Sequence, residues 1–241
     1  MKNKKNIQAQ KKEEHKRQML EAKKRKRSEE PILKRKAPTK PKKAKFLIIC
    51  EGENTEPSYF NQFKLSNADI EPIGEGYNTL SLVNRAIDIV EEKEQQGRKY
   101  NQIWCVFDKD DFSNFDFNEA IRKAEANKMK VAFSNQAFEY WLILHFQDHQ
   151  GGQIHRNRYD KIINKHLSPY NLSYDGDGAK IITEEIFELL QSIPKKRKRS
   201  RQQNAIIRAK RIFVEKENES PAKTESNTSV YKLIMQLEKY K

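Results

Sequence analysis

The sequence predicts an α/β protein: a parallel sheet covered by helices, then a helical C-terminal region, all preceded by a disordered basic tail. Short apolar runs alternate with helix-period segments between Phe46 and Phe146, a pattern typical of strands buried on both faces of a parallel sheet. Beyond residue 150 only helical periodicity continues. We therefore predict a tail over residues 1–45, a core over 46–150 and a helical region over 151–241 that packs on the core.

The N-terminal tail carries the whole net charge. Residues 1–45 contain 19 Lys and Arg against 5 Asp and Glu, a balance of +14 that equals the net charge of the entire chain. With almost no aromatic or β-branched side chains, they cannot bury enough apolar surface to form a core, although residues 8–28 are rich in helix formers. The tail is either an electrostatic arm for nucleic acid or a solvated segment that aids solubility.

The elements of the core and of the helical region follow from periodicity. Continuous apolar runs and one weaker run predict strands, and apolar side chains at helical spacing predict helices. The predicted strands are residues 46–50, 70–73, 103–107 and 130–133. The predicted helices are residues 58–65, 80–94, 117–127, 136–146, 159–166, 181–190, 203–214 and 228–240.

Composition excludes several classes of protein. No apolar run reaches the ~18 residues of a membrane span, so we expect no membrane partner. The N-terminus is too charged for a secretory signal. Cys50 and Cys105 each lie inside an apolar run, which favours buried small hydrophobes over a disulfide or a metal knuckle. These features predict a reducing, cytoplasmic location.

Acidic residues directly follow two apolar strands of the core. Glu51 follows the run 46–50, and Asp108 and Asp110 follow the run 103–107. Residues two apart on a strand project the same way, and ligands sit beyond the carboxyl ends of parallel strands. If the strands are neighbours, these carboxylates meet and suit Mg2+ or Mn2+, with roles as ligands or in proton transfer. The alternative is that they cap helices and turns.

Three further residues are candidates for lining the same site. Glu56 is one turn beyond Glu51 and is either a ligand or a partner of the helix dipole. Glu139 lies in an apolar helix, where an unpaired carboxylate is unfavourable, so it is at a solvent edge or in the site. His145 is either a hydrogen-bonded core histidine or part of the site.

A basic run lies between two predicted helices of the C-terminal region. It is predicted either to bind the phosphate backbone of nucleic acid or the acidic face of a partner, or to be a solvated loop. The residues concerned are Lys195, Lys196, Arg197, Lys198, Arg199 and Arg201.

Several blocks resemble the RloB-like family. The opening block is FLIICEGENTEPSYF over residues 46–60, followed by VFDKD over 106–110, SNQAFEYWLILHF over 134–146 and TSVYKL over 228–233. The resemblance spans residues 46–237 and leaves the tail outside. It implies a Toprim-like fold, the metal-binding module shared by topoisomerases, primases and OLD-type nucleases.

The resemblance also implies a function and roles for the acidic residues. Glu51 is expected to be the acid/base or a metal carboxylate, and Asp108 and Asp110 the metal ligands, all three catalytic. The family is associated with phage defence, abortive infection and restriction loci, often beside an ATPase partner. This implies a nuclease that cuts DNA or RNA with Mg2+ or Mn2+. The pair Gln136-Ala137 departs from the family block. Because it replaces none of the acidic residues, it affects the expected local backbone geometry more than the expected chemistry of the site.

Two other functions stay open at the level of the sequence. One is a catalytically weak nucleic-acid-binding or regulatory subunit of an ATPase complex. The other is a metal-dependent phosphotransferase acting on a small phosphate ester. No Walker loop for ATP is present in the sequence. The choice between DNA and RNA, the number of metal ions and assembly into a homo-oligomer are left undecided.

Overall fold

The computed structural model describes residues 2–28, 43–150 and 152–241 and divides into two compact units, residues 1–41 and 42–241. The described part of the first is the helix α1 (Lys2–Ser28). Every side chain described between residues 6 and 26 is exposed, in agreement with a tail that has no core. The rest of the predicted tail, residues 29–42, lies outside the described residues.

The second unit begins with the predicted alternation of strands and helices, which is confirmed. In chain order its elements are β1 (Ala44–Cys50), α2 (Thr55–Asn61), β2 (Ala68–Gly74), α3 (Thr79–Gln95), β3 (Gln102–Asp108), α4 (Asn114–Ala126), β4 (Lys130–Asn135), α5 (Glu139–Phe146), α6 (Tyr159–Leu167), α7 (Glu184–Gln191), α8 (Arg201–Glu215), β5 (Asn227–Thr228) and α9 (Val230–Leu237).

The strands form one mostly parallel sheet in the order β2-β1-β3-β4-β5. The first four are parallel, and β5 is antiparallel to β4. In the register between β1 and β3, Phe46 is opposite Gln102 and Cys50 is opposite Val106. The two strands are therefore neighbours whose carboxyl ends coincide, which is the condition for the two acidic segments to meet.

Helices cover both faces of the sheet. Phe46, Ile48 and Cys50 pack into a core with α2, α5 and the C-terminal helices, whereas Leu47 and Ile49 pack against α3 and α4. This is the alternation expected of a strand buried on both faces. The C-terminal helices thus share a core with the sheet, and residues 42–241 form one compact unit.

Some element boundaries differ from the predicted ones. Helix α5 begins at Glu139 instead of residue 136, and α7 begins at Glu184 instead of residue 181, behind the cap Thr183. Strand β5 was not predicted, because its two residues are too few to show an alternation.

The cysteines agree with the sequence expectation: Cys50 and Cys105 are free and buried. Within the described parts of the chain, no helix is long and apolar enough to cross a membrane.

Candidate active site

Four carboxylates lie together beyond the ends of β1 and β3; we call Glu51, Glu56, Asp108 and Glu139 the acidic cluster. Glu51 directly follows β1 and its Oε2 accepts a hydrogen bond of 2.9 Å from the backbone N–H of Asp108. Glu56, Glu51 and Glu139 all act electrostatically on Asp108. The structure therefore brings together two of the predicted catalytic residues and two of the predicted lining residues.

Asp108 has one engaged and one free oxygen. Its Oδ2 accepts a bond of 3.0 Å from the N–H of Phe138 and so caps the start of α5. Its Oδ1 is buried and has no partner among the described residues. Burial first, then Glu56, Glu51 and Glu139, raise the pKa of Asp108 well above its usual value. A buried oxygen without a partner is unfavourable. Capping of α5 explains the burial of Oδ2 but not that of Oδ1.

Glu56 is buried in the first turn of α2, with 3% of its surface exposed. The backbone N–H groups of Glu56 and Gly52 lower the pKa of this carboxyl. A Cβ on residue 52 would lie 2.2 Å from Glu56 Oε2, so only glycine permits this approach. Burial, and then Glu139 and Glu51, raise the pKa of Glu56 to about 7.

Glu51 has a similar pKa for a similar reason. Burial raises it to about 7, although the N–H of Asp108 and the charge of Arg156 act in the opposite direction. Raised pKa values in neighbouring carboxyls are the expected response to like charges in a poorly solvated site. A divalent cation bound there would displace protons, and its affinity would increase with pH.

Asp110 departs from the predicted arrangement. The prediction that it projects alongside Asp108 by strand alternation is wrong, because β3 ends at Asp108 and Asp110 adopts a left-handed φ of 41°. Its carboxylate forms an ion pair with Arg156. Because Arg156 also acts on Glu51, this arginine links Asp110 to the acidic cluster.

The cluster fits a hard divalent cation in its chemistry. As the side chains stand, no group of three or more His, Cys, Asp or Glu within the described ranges could hold a metal ion. Mg2+ is commonly held by one or two carboxylates, with water and substrate phosphate completing its shell. The unpartnered Oδ1 of Asp108 and the neighbouring Glu51 supply such a pair, whereas Asp110 is occupied by Arg156.

A cavity of about 430 Å3 borders Glu139; we call it the Arg156 cavity because Arg156 lines it together with Lys161 and Lys180. Tyr174, also in its wall, donates a hydrogen bond of 2.8 Å to Glu139 Oε1. Sequence reasoning missed Arg156 and Tyr174, which carry no periodic or motif signal and reach the site only through tertiary packing.

His145 does not join the acidic cluster. It is buried, its Nδ1 lies 2.9 Å from the carbonyl oxygen of Trp141, and the charged groups that act on it are Arg208 and Arg201. Burial is the main cause that lowers the pKa of His145 to about 3. This histidine is therefore neutral and hydrogen-bonded to its own helix.

The basic run divides into a free part and a structural part. Residues 195–199 are exposed in the segment before α8. Arg201 is buried instead, and its guanidinium donates to Ser192 Oγ at 2.6 Å and to Tyr170 Oη at 2.7 Å. Five of the six predicted cations are thus available to solvent, and the sixth anchors the start of α8.

A family model described as RloB-like protein matches residues 46–237. The chain belongs to the RloB-like family. No curated protein and no solved structure matches it. In this RloB-like chain the matched region contains the sheet except for the first two residues of β1, the acidic cluster and the Arg156 cavity, and it leaves α1 outside.

Proposed function

We propose that this RloB-like protein is a divalent-metal-dependent nuclease of the Toprim type that hydrolyses phosphodiester bonds of DNA or RNA. The observation that carries the proposal is the acidic cluster beyond the ends of β1 and β3, with the buried, unpartnered Oδ1 of Asp108. From the resemblance to phage-defence proteins we further propose that the enzyme acts in phage defence together with an ATPase partner.

Asp108 and Glu51 are the residues that would hold Mg2+ or Mn2+. When bound, the ion supplies Lewis acidity toward a phosphoryl oxygen and toward water. Without a metal Glu51 has a pKa of about 7; a bound cation would lower it, so in the loaded site Glu51 would be an ionised carboxylate that can accept a proton. Its Oε2 is held by the N–H of Asp108, so its Oε1 is the atom assigned to proton transfer.

The Arg156 cavity supplies cations for the substrate. Arg156, Lys161 and Lys180 line it beside three acids, Glu139, Asp160 and Asp177. The phosphates of a nucleic-acid strand are the groups that the three cations bind. A phosphate that engages Arg156 would compete with Asp110 for the guanidinium. Release of Asp110 would add a third candidate ligand to the pair Asp108 and Glu51, so the role of Asp110 would depend on whether substrate is bound.

A cleavage assay with Mg2+ or Mn2+ tests the proposal. Asp108→Asn keeps the shape of the side chain but removes its charge, and we expect it to lower the cleavage rate at least about a hundredfold. Asp111→Asn is the matched control, because Asp111 is an exposed acid of the same turn. Wild-type cleavage by Asp108→Asn would refute the assignment.

The second candidate is a nucleic-acid-binding or regulatory subunit of an ATPase complex. The hydrogen bond from the N–H of Phe138 to Asp108 favours it. A carboxylate that caps the start of a helix has a structural role even in a protein without catalytic activity. In that case wild-type protein would bind nucleic acid yet cleave nothing, both alone and with its ATPase partner, and divalent ions would leave its stability unchanged.

A further inference from the structure

A second cavity, of about 440 Å3, lies among α5, α6 and α8; we call it the basic cavity. Its cationic wall is formed by Lys165, Arg197, Arg201 and Arg208, with the imidazole of His166 beside them. No Asp or Glu within the described ranges lines it. None of its residues belongs to the acidic cluster or to the Arg156 cavity, so it is a separate site.

The cations of this cavity repel one another. Burial and then the charge of Arg197 lower the pKa of Arg208, and burial followed by Lys165 and Arg201 lowers that of His166. The acid nearest to Arg208 is Asp148, 4.0 Å from its Nε, and Asp148 is shared with Arg211 at 2.8 Å. A bound anion would relieve this repulsion, which is the electrostatic signature of an anion site.

Two arginines of the wall are held in fixed positions. The guanidinium of Arg201, anchored by Ser192 and Tyr170, lies over the rings of Phe146 and Tyr170 at 5.7 and 5.5 Å. Arg208 donates from Nη1 to the carbonyl of Leu144 at 2.7 Å. These two side chains are therefore already fixed in the unliganded protein. Preorganised donors lose little conformational freedom when a ligand binds.

His145 adds a requirement for a hydrogen-bond donor on the ligand. It lines the cavity with only 2% of its surface exposed, and its Nε2 has no partner among the described residues. Because a carbonyl oxygen only accepts, the contact of Nδ1 with Trp141 places the proton on Nδ1. Nε2 is then an acceptor. Hydrogen phosphate would have to use its own P–OH as the donor, whereas a nucleotide offers a sugar hydroxyl or a base amino group and keeps its phosphate for the cations.

We propose that the basic cavity binds the phosphate of a nucleotide unit, supplied either as a free mononucleotide or as the phosphorylated end of a nucleic-acid strand. Lys165, Arg197 and Arg208 bind the phosphate, and His145 Nε2 accepts from a hydroxyl or amino group of the nucleoside. The cavity volume of about 440 Å3 is in the range of small-ligand pockets. The proposal stands whether or not the acidic cluster cuts nucleic acid.

Binding measurements on the full chain in EDTA test this site without any contribution from metal-dependent cleavage. The probes are adenosine and uridine 5′-monophosphate, inorganic phosphate, and a short oligonucleotide with a 5′-phosphate or a 3′-phosphate beside its twin with hydroxyl ends. We expect a mononucleotide to bind more tightly than inorganic phosphate if free nucleotide is the ligand. If the strand end is the ligand, only a phosphorylated oligonucleotide gains affinity over its twin.

Arg197→Ala is the diagnostic variant, with Arg199→Ala as its matched control. Both arginines are exposed in the same basic run, but only Arg197 lines the basic cavity. The Arg197 side chain has no hydrogen bond or ion pair within the described ranges, so its removal should leave the fold intact. We expect Arg197→Ala to weaken nucleotide or strand-end binding about tenfold, as for loss of a charge-assisted hydrogen bond, and Arg199→Ala to change it less than about twofold.

Three outcomes would overturn the proposal. The first is the lack of any affinity for mononucleotides together with no preference for a phosphorylated end. The second is an equal loss of binding in Arg197→Ala and Arg199→Ala, which would indicate diffuse attraction to the basic run. The third is binding of inorganic phosphate as tight as that of every nucleotide probe, which would show that the nucleoside contributes nothing to binding.

Discussion

The acidic cluster and the basic cavity both gather like charges, but they relieve the repulsion differently. The carboxyls of the cluster can take up protons, and Glu51 and Glu56 do so with pKa values raised to about 7. Arginine cannot lose its proton in a protein, so Arg208 keeps its charge although its pKa is lowered. The comparison teaches that the first site should respond to pH and divalent cations, and the second to anions.

The largest expected effect tests the response of the acidic cluster to cations. Mg2+ or Mn2+ should relieve the repulsion among its carboxylates and raise Tm by about 5 to 10 °C at a free concentration of about 100 Kd. The double variant Glu51→Gln/Asp108→Asn, which keeps the shapes and removes two charges, should show no increase. Thermal melts with and without the ion measure both. An unchanged wild-type Tm would favour the binding-subunit function.

A smaller effect is expected from Gly52→Ala. The added Cβ would meet Glu56 Oε2 at 2.2 Å, so we expect a loss of about 1 to 3 kcal/mol in the free energy of unfolding, as for overpacking. Urea titration measures it. In a double-mutant cycle with Glu56→Ala the two changes should be strongly non-additive, because the second removes the group that clashes. Simple additivity would contradict the close approach.

The pH dependence of stability should be of similar size. Below the unfolded pKa of about 4.5 Glu56 is protonated in both states and contributes nothing. Between there and its folded pKa of about 7 the native state holds more protons, so stability falls as pH rises. In EDTA, we expect a decline on the order of 2 kcal/mol from pH 5 to 8.

Matched variants assign this decline to Glu56. Urea titrations across the pH range should show a flatter profile for Glu56→Gln, because an amide does not titrate. Glu53→Gln, which alters an exposed acid of the same loop, should follow the wild type. Equal profiles for all three proteins would mean that burial of Glu56 does not couple to stability.

The smallest effect on the fold is expected from deletion of the basic N-terminal tail. Removal of residues 1–41, a unit by itself, should leave the Tm of the remaining chain almost unchanged. If the tail is an arm for nucleic acid, the same deletion weakens binding and makes the slope of log K against log salt shallower. Anisotropy titrations across a salt series measure this, and an unchanged affinity would show that the tail only aids solubility.

The meeting of Glu51 with Asp108 could be predicted because both follow continuous apolar runs, and neighbouring parallel strands end at one edge. The direction of Asp110 could not, since alternation applies only within a strand and β3 stops two residues earlier. Arg156 and Tyr174 could not be predicted either. They come from a later part of the chain, and only the packing of its helices brings them to the cluster.

The pairing of β4 with β5 also has a consequence for how the chain reaches its fold. Ser134 and Thr228, which face each other across this pair, are 94 residues apart, so closing this contact requires a long loop and is expected late in folding. Until then Ser134 and Asn135 at the edge of β4 present unpaired backbone groups to any neighbouring chain. Refolding at high protein concentration should therefore lose material to aggregation at this edge, and dilution should recover it as folded protein.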